Sequence, residues 1–115
     1  GRPPTLVGIE EPEVALHPAA VDILIDAVSD ASQATQVVVT SHSPDLLDRS
    51  DIEDQELLAV SADRGVTTVG PVTEGIRIAL KDRLFSAGEL LRMNQLEPSD
   101  QARAITSKQL RLFEL

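Results

Sequence analysis

The sequence predicts an α/β fold in a single domain spanning residues 1–115, and three observations carry that prediction. Two short aliphatic runs, Thr5-Leu-Val-Gly-Ile9 and Gln36-Val-Val-Val-Thr40, each end in polar residues. Between them lies a stretch with helical apolar spacing, so strand, helix and strand form one βαβ unit. The chain of 115 residues is 42% apolar, enough for one small core and too apolar for a disordered segment.

The first strand is expected over Thr5–Ile9, since the two prolines within Gly1–Pro4 stop it from extending further back. Glu10 to His17 reads as a loop. Pro18 opens a helix, because proline is tolerated in a first turn where its missing N–H is not needed. Val21, Leu24, Ile25 and Val28 then form one apolar stripe opposite Asp22, Asp26, Ser29 and Asp30, and the helix ends near Ser32. The three consecutive valines of the second strand suit a parallel strand covered on both faces. A right-handed crossover would bring both strand ends to one edge of the sheet, where open α/β sheets bind ligands.

Beyond the βαβ unit, Ser43-Pro44 caps a short helix through about Asp48, with Leu46 and Leu47 inward. Asp48 to Gln55 reads as an acidic loop. Glu56–Ser61 and Val66–Val69 read as strands, joined into an antiparallel hairpin by the turn Asp63-Arg64-Gly65. A helix runs from Thr73 or Glu74 to about Leu84, with Ile76, Ala79, Leu80 and Leu84 apolar. Ser86 and Glu89 form a capping-box pattern ahead of another helix, with Leu90, Leu91 and Met93 inward. After Pro98 the chain is polar until Leu110–Leu115, a segment that can dock or fray.

Composition excludes several function classes. There is no cysteine, hence no disulfide frame and no thiolate metal site, which fits a reducing, cytoplasmic setting. No apolar run is long enough to span a bilayer, and no secretory signal pattern opens the chain. The net charge of -9 makes the chain a poor non-specific binder of nucleic acid phosphates.

The candidate chemistry sits where the two strands end. Glu10 and Glu11 close the first; if the chain stays extended their side chains point oppositely and take different roles. In a nucleotide site one carboxylate can hold Mg²⁺, often through water, and the other can orient or deprotonate an attacking water. A bare Glu-Glu pair is more often two solvated loop residues. The aliphatic strand before this one, Pro12 after it and His42 downstream favour the functional reading. His42 follows the valine-rich strand and can donate a hydrogen bond towards a γ-phosphate or that water. Thr40, Ser41 and Ser43 add hydroxyls that can also simply cap the next helix. His17 reads as a helix N-cap or loop residue before Pro18, or else as a contact to a partner subunit. A metal site built from Glu10, Glu11, Glu13, His17 and His42 lacks the close histidine spacing of helical zinc sites.

The order Val-Gly-Ile-Glu-Glu-Pro-Glu-x-x-Leu-His-Pro followed by Val-Val-Thr-Ser-His-Ser-Pro resembles the ABC-type ATPases of the RecF, SMC and OLD group, including AAA-like or ABC-like bacterial ATPase domains. The specific resemblance covers residues 5 to 47. It implies that Glu10 stands at the Walker B position on the Mg²⁺ side and Glu11 at the catalytic glutamate. Ala15, Leu16 and His17 would form the D-loop acting across a dimer, and His42 the switch histidine of the H-loop. Ser86–Met93 resembles a C-terminal segment of the same ATPases. The sequence departs from the pattern where Glu10 replaces the usual Asp and where His17 stands at the usual terminal Asp of the D-loop.

Neither Gly-x-x-x-x-Gly-Lys-Ser/Thr nor a Leu-Ser-Gly-Gly-like signature occurs among the residues, and the family places both upstream of residue 5. The resemblance therefore implies a partial P-loop NTPase fold: the C-terminal portion of an ATPase domain without its Walker A and signature segments. The intact protein would bind ATP and Mg²⁺ and work as a dimer, with nucleic acid as an effector by family only and no membrane partner. The alternative is a non-catalytic interaction domain on a degenerate ATPase scaffold. A Toprim-type nuclease is excluded for this chain, because no Asp-x-Asp follows Glu74-Gly75. In such ATPases the H-loop strand lies inside the sheet. Here, without the P-loop strand, its valine-rich outer edge is left open, and the chain is therefore expected to self-associate, to swap strands or to bury that edge with its own C-terminal segments.

Overall fold

The computed structural model describes residues 5–113, with the side chains of 109–113 excepted. The expectations for Gly1–Pro4 and for the docking or fraying of Leu110–Leu115 lie outside the described residues. The chain divides into two compact units, residues 1–51 and 52–115.

The first unit is the βαβ segment. Strands β1 (Leu6–Glu10) and β2 (Gln36–Thr40) pair in parallel, with Leu6 opposite Gln36 and Glu10 opposite Thr40. Both polar ends therefore emerge at one edge. Between the strands a turn of 3₁₀-helix at Pro18–Ala20 leads into α1 (Val21–Ser32), which packs on β2. Then α2 (Pro44–Arg49) follows β2, capped by the Ser43 hydroxyl, which accepts from the Leu46 amide at 3.2 Å.

The expected cover on both faces of β2 is not what the structure has. Val7, Ile9, Val37 and Val39 are half-buried, while Leu6, Gly8 and Val38 alternate onto an exposed face. Side chains of a strand alternate sides, and in this unit the helical layer covers one of them. Among the described strands β2 pairs with β1 alone, because the later strands form a sheet of their own. The open edge is thus not closed by pairing with a C-terminal strand.

The second unit is built on a hairpin. Strands β3 (Leu58–Asp63) and β4 (Val66–Pro71) are antiparallel, with Asp63 opposite Val66. The two-residue turn holds Arg64 at φ 51° and Gly65 at φ 79°, the positive angles that match the twist of a tight hairpin. Helix α3 (Glu74–Lys81) is capped by Thr73 and ends earlier than the apolar spacing suggests. Arg83 turns left-handed at φ 56°, Leu84 N donates to Ala79 O, and Arg83 N donates to Leu80 O. That pair of bonds is a Schellman ending, and it leaves Leu84 66% exposed.

Helix α4 (Ala87–Arg92) has the expected capping box between Ser86 and Glu89. It ends in the same way, with Asn94 at φ 56°. Leu90 is buried and Leu91 half-buried, but Met93 sits at the helix C-cap and faces outward, contrary to expectation. The polar stretch after Pro98 is a helix, α5 (Asp100–Phe113). Ser99 caps it by accepting from the Ala102 amide at 3.2 Å. Ala102 packs so closely on β4 that a Cβ on Gly70 would lie 2.4 Å from its own. Buried Val72 and Pro98 form an isolated antiparallel bridge.

Candidate functional site

The site forms within the first unit, at the carboxyl ends of β1 and β2. Glu10 is the last residue of β1, and its exposed carboxylate makes no ion pair or hydrogen bond among the described residues. Glu11 does not continue the strand. It adopts a left-handed backbone, φ 42° and ψ 54°, a region that costs a non-glycine residue about 1–3 kcal/mol. The extended geometry assumed for the Glu-Glu pair is therefore replaced by a sharp turn after Glu10. The turn is held because the Glu11 amide donates to Thr40 O at 2.9 Å and lies 3.3 Å from Thr40 Oγ1.

The turn aims Glu11 at the second strand end. His42 Nε2 lies 3.2 Å from Glu11 Oε1. The histidine side chain is 89% exposed and the glutamate 39%, so this contact is open to solvent and contributes little to stability by itself. What it supplies is an acceptor and a donor side by side at the strand ends.

Glu13 makes the better shielded link. Its Oε1 accepts from Ser41 Oγ at 2.6 Å, and Ser41 Oγ in turn accepts from the Ser43 amide at 2.9 Å. Glu13 Oε2 is buried with no hydrogen-bond partner among the described groups. Leaving a buried acceptor unmatched costs about 1–3 kcal/mol. The Glu13–Ser41 pair was not expected from the sequence. The signal for it lies in the parallel register, which sets the residues just after Glu10 beside those just after Thr40.

The remaining candidates divide. Ala15 closes a 3₁₀ turn at Pro12–Ala15, Leu16 is extended, and His17 precedes the next turn. His17 Nδ1 accepts from the Ala19 amide at 3.1 Å, which is the capping role. None of these three residues makes a hydrogen bond or ion pair with Glu11 or His42. Among the described residues no three His, Asp or Glu side chains gather as a metal cluster. A shallow depression of about 160 Å³ lies between Glu13, Leu16, Val21, Ser43, Leu46 and Arg49. It is smaller than the roughly 300–1,000 Å³ of a ligand pocket and cannot enclose a nucleotide. Arg49 spans one side of it, reaching Pro18 O at 3.4 Å and Asp22 Oδ1 at 3.6 Å. No described helix is long and apolar enough to cross a membrane.

Residues 1–48 match the family model described as "AAA domain, putative AbiEii toxin, Type IV TA system". The matched stretch contains both strands, α1, Glu10, Glu11 and His42, and it ends inside α2. The hairpin and the helices after it lie outside the match. A comparison with curated proteins finds no match.

Proposed function

We propose that this chain is the C-terminal part of an ATP-hydrolysing domain and carries the water-activating half of its site. The observation that supports it most is the Glu11–His42 contact at the shared edge of a parallel strand pair, inside the stretch that matches an AAA domain family. In this reading Glu11 accepts the proton of the attacking water, a role that needs a carboxylate within hydrogen-bond reach. His42 orients that water or donates to the γ-phosphate. The left-handed turn at Glu11 fits this role, because strained backbone concentrates where side-chain aim matters.

The donor set suits Mg²⁺. Glu10 offers a free, exposed carboxylate next to the pair, and hard oxygen ligands are what this ion takes. When bound, the ion neutralises charge on the phosphates. Ala15, Leu16 and His17 would face the nucleotide of a second copy in a dimer. The phosphate-holding loop would come from a segment before residue 5, so these 115 residues alone should hydrolyse nothing measurable.

In the intact ATPase, Glu11→Gln should collapse ATP turnover while nucleotide binding survives. Unchanged turnover removes Glu11 from its role, whereas an intact protein that turns over no ATP favours the non-catalytic interaction domain instead. Robust hydrolysis by the 115-residue chain overturns the placement of the phosphate loop outside it.

A further inference from the structure

We infer that Glu13 is a positioning residue that sets His42 against Glu11 through Ser41, an inference that rests on the ATPase reading above. Two loops must hold register for Glu11 and His42 to meet. One follows β1 and carries Glu11 and Glu13; the other follows β2 and carries Ser41, His42 and Ser43. The Glu11–His42 contact cannot hold that register itself, since both side chains are open to solvent and ion pairs of that kind are weak.

The Glu13 link is different in kind. Its 2.6 Å hydrogen bond from Ser41 Oγ is short, as expected for a hydroxyl donating to a carboxylate, and it is partly buried. Ser41 Oγ simultaneously accepts the Ser43 amide, so the residues on both sides of His42 are tied into one chain ending at Glu13. Ser43 also caps α2, which fixes the far side of the loop to a helix. His42 is thus held from both flanks by a carboxylate two residues beyond Glu11. The exposed face of His42 stays free for a ligand, while the latch that aims it is partly buried.

The test has two arms. In the intact ATPase, Glu13→Ala and Ser41→Ala should each lower kcat by about 10-fold or more with KM for ATP moved less than about 2-fold, because misaim of a catalytic group costs rate and not binding. The double variant should be no slower than either single one, since both break the same chain. Glu13→Gln keeps an acceptor oxygen for Ser41 and should recover most of kcat. Unchanged kcat in both single variants, additive losses, or a Gln variant as slow as the Ala variant overturns the proposal.

The second arm uses the 115-residue chain without nucleotide. Amide exchange at Ser43 should quicken by about 10-fold in Glu13→Ala and stay unchanged in Glu11→Ala. Unaltered exchange in Glu13→Ala overturns the latch whatever the turnover data say. If instead Glu11→Gln leaves turnover intact while Glu13→Ala quickens exchange, the role proposed for Glu11 fails and the latch stands as a structural device.

Discussion

Residues 5–51 and residues 52–113 serve opposite ends. In the first unit Leu46 is the one buried side chain among those described, and an apolar sheet face with Leu6 and Val38 lies open. In the second unit Ala59, Thr68, Val72, Leu90, Pro98 and Ala102 are all buried around a hairpin. The first unit spends its sequence on strand ends that aim Glu11 and His42; the second spends it on close packing. A thin layer can still place side chains well, because a parallel register and a few loop hydrogen bonds fix two strand ends without a thick core.

That contrast can be broken by substitutions read through residue-resolved hydrogen exchange, which reports each unit separately. The largest effect is expected from Leu90→Ala, a buried leucine whose removal should cost about 2–5 kcal/mol and speed exchange across the second unit. Gly70→Ala comes next: its new methyl would meet Ala102 at 2.4 Å, forcing α5 off β4 at about 1–3 kcal/mol. If Gly70→Ala is neutral by thermal unfolding, the close packing assigned to the second unit is wrong. In the first unit, Ser43→Ala should cost about 1 kcal/mol by removing the α2 cap, with exchange rising at the Leu46 amide.

The smallest effect on folding should come from Val38→Lys, within about 0.5 kcal/mol, because that side chain is 44% exposed on the open face. It should nonetheless reduce any concentration-dependent association in sedimentation velocity, since a lysine blunts an open strand. A Val38→Lys cost as large as that of Leu90→Ala would mean the face is covered after all, and the comparison between the units would collapse.

Much of the fold was legible because its signals are local. The valine run gave β2 to the residue, and Ser43-Pro44, Thr73 and Ser86 marked helix starts that the structure keeps. Helix α5 was not legible, since Ala102 is a small residue and the helix has a weak apolar period. The early ends of α3 and the outward turn of Met93 came from left-handed residues, Arg83 and Asn94, where glycine would have been the readable signal. Within the site, the polar residues at both strand ends were visible as candidates. Their pairing was not, because it depends on the left-handed turn at Glu11, a conformation no local propensity favours for glutamate.

By itself the sequence determined which strand ends carry carboxylates and which carries the histidine, since aliphatic runs and helical spacing are properties of neighbouring residues. The tertiary structure alone decided that Glu11 meets His42, that Glu13 meets Ser41, and that one sheet face stays open. The two side-chain meetings follow from the parallel register that sets Glu10 opposite Thr40, a contact between residues far apart in the chain that no single stretch encodes, and the open face from a helical layer on one side only.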